Sequence, residues 1–179
     1  VLFDFPSPNF KTSDEGLKYT EDLIRRWAGD PLIGIVVEPH ACYTCSDNLL
    51  ARAKELADRY GVPYAVHLLE TKAERDGLIS KLGKSPVHFL AEKGILGPSV
   101  TAFHCVAMDE EDIRLFADHG CRIVHNPESN MKLASGVAPV PEMLAAGIAV
   151  GLGTDGCASN NNLDMFQEMD TAAKLHKAW

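Results

Sequence analysis

The feature that most constrains this sequence is an alternation that recurs along its length. Five short apolar runs appear in turn: LIGIVVEPH (Leu32–His40), PYAVHLLE (Pro63–Glu70), SVTAFHCV (Ser99–Val106), CRIVHNP (Cys121–Pro127) and IAVGLGTDG (Ile148–Gly156). Between them lie segments whose apolar residues fall at helical spacing, such as Leu49, Leu50, Ala53, Leu56, Ala57 and Tyr60. Ser46 can cap that helix, and Gly61 with Pro63 two residues on ends it. Asp109 and Gly120 bracket DEEDIRLFADHG in the same way. TKAERDGLISKL and PVHFLAEKG read as helical pieces, PVPEMLAAG as a short helix stopped by Gly147, and His125 to Pro139 as a strand end followed by a loop. Arg25 and Arg26 fall on a helix. In LDMFQEMDTAAKLHK, the stripe of Met165, Phe166, Met169 and Leu175 predicts a closing helix packed into the core.

Near-continuous apolar strands alternating with helices imply a parallel sheet covered by helices on its outer face. The last run, around Val150, is apolar enough to expect burial on both its faces. An open doubly wound sheet and a closed eight-stranded barrel compete as architectures. No G-x-G-x-x-G follows any strand, so the dinucleotide-binding sheet has no support.

The strands end in His40, His67, His104, His125 and Asp155, which accounts for four of the seven histidines. In a parallel barrel the C-terminal strand ends open onto one face, so these side chains would converge on one pocket. Taken singly, each has a plainer reading. His67 could be a core histidine bonded to a carbonyl, and Asp155 a turn former before Gly156. His125 precedes Asn126-Pro127 and could simply fix the loop. His88, His119 and His176 lie on helices, where solvated rings are expected.

Imidazoles around a carboxylate are ligands of a zinc or iron site that lowers the pKa of a water toward ~7. Glu70, three residues past His67, could reach the pocket rim as a proton shuttle. Composition narrows the partners. A formal net charge of −8 argues against a nucleic-acid polymer, and no apolar run approaches the ~20 residues of a membrane span. Five cysteines fit a reducing, cytoplasmic compartment better than a disulfide framework. Cys42 and Cys45 form a C-x-x-C with no second pair to complete a zinc cage. No His–Cys pair stands at a spacing that would make a thiol nucleophile of Cys105, Cys121 or Cys157.

The motifs EPHACYTCS, VHLLETKAE, FHCV, HNPESNMKLASGVAP and GLGTDGCASNNNLDMFQEM resemble the amidohydrolase superfamily, in its branch of 5-methylthioadenosine and S-adenosylhomocysteine deaminases and related chlorohydrolases. The resemblance runs from about Leu32 to Lys177. It implies a (β/α)8 TIM-type barrel with one divalent metal, usually zinc and sometimes iron. On that pattern His67 and Asp155 resemble metal ligands, and His104 the partner that with Asp155 orients and deprotonates the water. Glu70 resembles the shuttle to the purine ring nitrogen, and His40 a substrate contact. Ser129, Asn130 and Ser159 would shape the site. The implied reaction is hydrolytic deamination of an adenosine-like small molecule to the inosine-type product and ammonia, by an enzyme that is often a homo-oligomer.

Two departures qualify the match. The family's H-x-H, at the end of its first strand, has no counterpart here, and a barrel typically needs about 250 residues against 179. The chain also opens at Val1 inside an apolar run, VLFDF. The expectation is therefore one partial barrel domain over residues 1–179, holding the C-terminal five to six βα units, with the first strands and a flanking small β domain outside it. Second, no arginine before His40 obviously matches those that grip the amino-acid carboxylate of S-adenosylhomocysteine. Hydrolysis of a triazine or guanine-like heterocycle is the alternative chemistry, although Gly156 after the aspartate favours deamination. The alternative of another kind is an inactive, metal-poor fragment.

Overall fold

The computed structural model describes residues 1–178, and the elements follow the expected alternation. In chain order they are α1 (Ser13–Arg26), α2 (Asp47–Tyr60), β1 (Tyr64–Leu68), α3 (Lys72–Leu82), α4 (Pro86–Glu92), β2 (Val100–His104), α5 (Glu110–Asp118), β3 (Arg122–His125), α6 (Pro127–Lys132), α7 (Val140–Ala145), β4 (Ala149–Leu152) and α8 (Met165–Ala178). The four strands form one parallel sheet in the order β1-β2-β3-β4, the pattern of consecutive units in a (β/α) barrel. No helix among the described residues is long and apolar enough to cross a membrane.

The local signals act as physical chemistry requires. Ser46 accepts from the Leu49 amide, and Gly61 ends α2 in the left-handed conformation at φ 63°. Asp109 and Asp112 cap α5 reciprocally. Helix α6 occupies what reads as loop: Pro127 sits in its first turn, a position where a missing N–H costs nothing.

Register assigns the two sheet faces. Tyr64, Val66 and Leu68 pair with Val100, Ala102 and His104, and Ala102 pairs with Ile123. This set is fully or almost fully buried and packs with Val87, Leu90, Ile113 and Phe116 of the helical layer. Each fully buried side chain of this size stabilises by roughly 1.5–3 kcal/mol. The opposite set, with His67, Thr101, Phe103 and Val124, is only half-buried.

Several expectations are corrected. The run Leu32–His40 lies beside β1 but pairs with it only at the isolated bridge Val37 to Tyr64, with a second bridge, Ala41 to His67, just beyond the run. Pro39 has no N–H to donate to a ladder, and Leu32 is 92% exposed. The VLFDF run likewise contributes one bridge, Leu2 to Pro39. Strand β4 is not buried on both faces: Ala149 and Gly151 are exposed, and among the described residues β4 pairs with β3 alone. The stripe on α8 is not core either. Met165, Phe166 and Met169 are exposed, Phe166 at 79%, while the polar Glu168 is the buried residue of that helix.

Candidate active site

The C-terminal ends of β1 and β2 and the turn after β4 bring three side chains together. One ligand atom from each of His67, His104 and Asp155 lies within 4.8 Å of the others. Two imidazoles and a carboxylate this close, from three separate segments, make a donor set that suits a single divalent ion.

The orientation of each ring is fixed by its other nitrogen. His67 Nδ1 lies 3.0 Å from the His40 carbonyl oxygen, which can only accept, so Nδ1 carries the proton and Nε2 is left as the donor atom. His104 Nδ1 is 2.8 Å from Asn130 Oδ1 and 3.4 Å from Asn126 Nδ2; the shorter contact is with an acceptor and favours the proton on Nδ1. Its Nε2 stands 3.9 Å from Asp155 Oδ2 and 3.9 Å from Glu70 Oε2. Such partners set tautomer and ring direction in metal sites.

Asp155 adopts φ 61°, a left-handed conformation uncommon for a residue with a side chain. Ser129 Oγ donates to its Oδ2 at 2.6 Å, and the Gly156 amide to its Oδ1 at 2.7 Å. Burial works against ionisation here. The hydrogen bonds from Ser129, Gly156 and Ser159, with the His104 ring behind them, outweigh it and hold the carboxyl below the usual range.

Glu70 accepts from Ser135 Oγ at 3.3 Å. It stands on the wall of a cavity of about 610 Å³ lined by Tyr43, Thr71, Leu78, Leu133 and Ser135 among others. Its backbone is anchored by Glu74, whose carboxylate accepts from the Leu69 and Glu70 amides while Thr71 caps α3. Thr71 and Glu74 have the T-x-x-E spacing of a helix start, but the Glu74 carboxylate reaches past Thr71 to the two amides before it. The His40 ring packs against His67 with ring centres 4.9 Å apart and planes tilted by 37°, and its Nδ1 lies 2.7 Å from Thr44 Oγ1. Burial above all, with His67 and His104 adding to it, pushes the His40 ring down to about 4.

The fifth strand-end residue, His125, stays out of this group. It is 1% exposed, on the helix-covered face, with Nε2 3.4 Å from His176 Nε2 on α8. His176 is therefore half-buried rather than solvated. His88 stands 3.4 Å from Glu111, and His119 Nδ1 bonds its own helix at Leu115. Cys42, Cys45, Cys105 and Cys121 are buried free thiols, and Cys45 Sγ donates to the Leu2 carbonyl.

Residues 2–179 match the amidohydrolase family. The chain belongs to that family. Among curated amidohydrolase relatives, it is 64% identical over 177 residues to the 5-methylthioadenosine/S-adenosylhomocysteine deaminase 1 of Syntrophus aciditrophicus (strain SB), covering 99% of this chain and 40% of the relative. It is 49% identical to the 5'-deoxyadenosine deaminase of Methanopyrus kandleri, covering 92% of this chain and 38% of that protein. Among solved structures, an adenosine deaminase from Xanthomonas campestris with bound zinc superposes with a TM-score of 0.96 at 40% identity, covering 99% of this chain and 40% of that one. The chain thus spans about 40% of the length of the relatives it matches.

Proposed function

We propose that these residues form part of a (β/α)8 barrel that hydrolytically deaminates an adenosine-like nucleoside of the 5-methylthioadenosine or S-adenosylhomocysteine type. One observation carries the reading: the donor atoms of His67, His104 and Asp155 meet within 4.8 Å, with Glu70 3.9 Å from His104. The relatives named as deaminases of such nucleosides support the substrate class.

His67 and Asp155 would hold one divalent metal, zinc or else iron, and an ion there lowers the pKa of a water toward ~7. The imidazole Nε2 atoms, freed by the bonds that Nδ1 makes, and a carboxylate kept ionised by Ser129 and Gly156 fit that ion. Asp155 and His104 orient the attacking water, and Asp155 takes its proton. Glu70 delivers a proton to the ring nitrogen as the water oxygen adds at the amino-bearing carbon. The proton held by Asp155 then passes to the departing amino group. The C–N bond breaks, ammonia leaves, the hydroxyl proton of the adduct returns to Glu70, and the inosine-type product remains with its C=O formed. His40, partly exposed beside His67, contacts the substrate. The H-x-H of the family pattern comes from outside residues 1–179, and these residues act within a single barrel domain. Four buried free thiols favour a cytoplasmic setting, and a homo-oligomer follows the family pattern.

The test is turnover of 5-methylthioadenosine, S-adenosylhomocysteine, guanine and chlorotriazines by the full-length protein containing these residues. The nucleosides should be deaminated and the triazines left intact. Asp155→Asn should abolish turnover and weaken metal retention. Near-normal activity in that variant rejects the role given to Asp155.

A further inference from the structure

Glu168 has no place in the chemistry above, yet it is the buried carboxylate of α8, at 0% exposure. A carboxylate in such a place is costly unless donors satisfy it, and two do, from different segments. The Asn160 side-chain amide donates to Oε1 at 2.6 Å, and the Glu128 backbone amide to Oε2 at 3.2 Å. Both donors lead to Asp155. Asn160 Nδ2 also donates to the carbonyl of Thr154 at 2.9 Å, immediately before Asp155. Glu128 immediately precedes Ser129, whose hydroxyl holds Asp155 Oδ2. The clasp between α6 and α8 is reinforced from the other side, where Glu128 Oε1 accepts from Gln167 Nε2 and Thr171 Oγ1, each at 2.8 Å.

We propose that Glu168 is a positioning residue for Asp155, acting through Asn160 on the backbone and through α6 on the Ser129 hydroxyl. The proposal rests on the reading of Asp155 as a metal ligand. One carboxylate fixes two independent things: the peptide preceding a residue held at φ 61°, and the donor that aims that residue's oxygen. A ligand whose backbone conformation is unfavourable needs such support, because relaxation toward an ordinary φ would swing the carboxylate away from His67 and His104. Glu168→Gln is a sharp probe. Its amide oxygen still accepts from Asn160, while its NH2 faces the Glu128 N–H, donor against donor. Asn160→Ala removes the contact with Thr154 and leaves the Glu128 contact.

The experiment follows release of zinc to a chromogenic chelator from the full-length, zinc-loaded protein, with thermal melting and steady-state kinetics alongside. Glu168→Gln and Asn160→Ala should each speed release by about tenfold and lower kcat with KM little changed. In an Asp155→Ala background, which itself releases zinc fast, Glu168→Gln should add nothing to the rate while lowering Tm as much as before. A purely structural role would speed release equally in both backgrounds, and that result overturns the proposal. So do wild-type release rates in both single variants. Should Glu168→Gln fail to fold, Asn160→Ala carries the same comparison. Wild-type release from Asp155→Ala alone would instead remove the ligand assignment of Asp155, and the brace with it.

Discussion

Lowering the pH from 7 to 5 should destabilise the protein by about 2 kcal/mol through His125 alone. The ring is 1% exposed, its Nδ1 is buried without a hydrogen-bond partner, and its Nε2 faces a second imidazole at 3.4 Å. Burial first, then His176 and His104, push its pKa down to about 4, against about 6.5 in the unfolded chain. Between those values the unfolded state binds more protons than the folded one. The stability is therefore present above pH 6.5, declines as the pH falls toward 4, and the full effect below that is about 3 kcal/mol. The assay is urea unfolding of the wild type and of His125→Leu at pH 7 and pH 5. Wild type should lose about 2 kcal/mol more than the variant across that interval. His40, Asp155, Glu74 and Glu168 titrate in both proteins, so their contributions cancel in the comparison. Equal losses in the two proteins would refute the reasoning, since they would mean that the buried ring accepts its proton without penalty.

Glu70→Gln should retain metal, measured by elemental analysis, while turnover drops by roughly 10²–10⁴-fold, because the change removes a proton path and leaves the three donors intact. Asn130→Ala removes the acceptor that holds the proton on His104 Nδ1; kcat should fall by about tenfold, and ¹⁵N shifts of His104 should report a mixture of tautomers. Gly153→Ala would bring a Cβ to 2.6 Å from Asn126 Oδ1 and 2.7 Å from Val124 Cγ1. A loss of roughly 1–3 kcal/mol in chemical denaturation is expected from that overpacking, and an unchanged midpoint would show that the β3–β4 contact yields.

Much of the layout was legible because it rests on local rules. Period, caps and glycine stops placed α2, α5 and the strands β1 to β3 within a residue or two of where they lie, while β4 ends at Leu152, four residues short of the run read for it. The failures share one cause, which is that burial belongs to neighbours and not to a segment. The stripe on α8 has helical spacing, but the face that packs on α6 carries Glu168, and nothing apolar in the sequence marks that face. The run at Leu32–His40 has strand composition, but Pro39 and the exposure of Leu32 leave it with bridges alone. Within the site, His67, His104, Asp155 and Glu70 were readable from strand ends. Glu74 was not read, although Thr71 and Glu74 stand at the spacing of a helix start. Asn160 and Glu168 were not, since a run of three asparagines and one helical glutamate carry no spacing that sets them apart from loop and surface.

The contrast between His104 and His125 shows what a strand-end pattern leaves undetermined. Both close a strand, and alternation puts both on the same, helix-covered face, His104 in line with Val100 and Ala102, His125 in line with Ile123. By parity alone neither ring should belong to the site. His104 does, and its backbone turns at φ 69°, followed by Cys105 at φ 51°. Left-handed φ at two consecutive residues with side chains costs about 1–2 kcal/mol each. Here that turn goes with a ring whose Nδ1 meets Asn130 and whose Nε2 stands between Glu70 and Asp155. His125 keeps an ordinary φ and stays with the helices, against His176. Asp155, the third member of the cluster, also stands at positive φ, whereas His67 needs no such turn, because strand parity already aims it to the half-buried face. The residues that meet are therefore the one that parity delivers and the two whose backbone departs from it, so the strain at His104 and Asp155 is spent at the place where the donors converge.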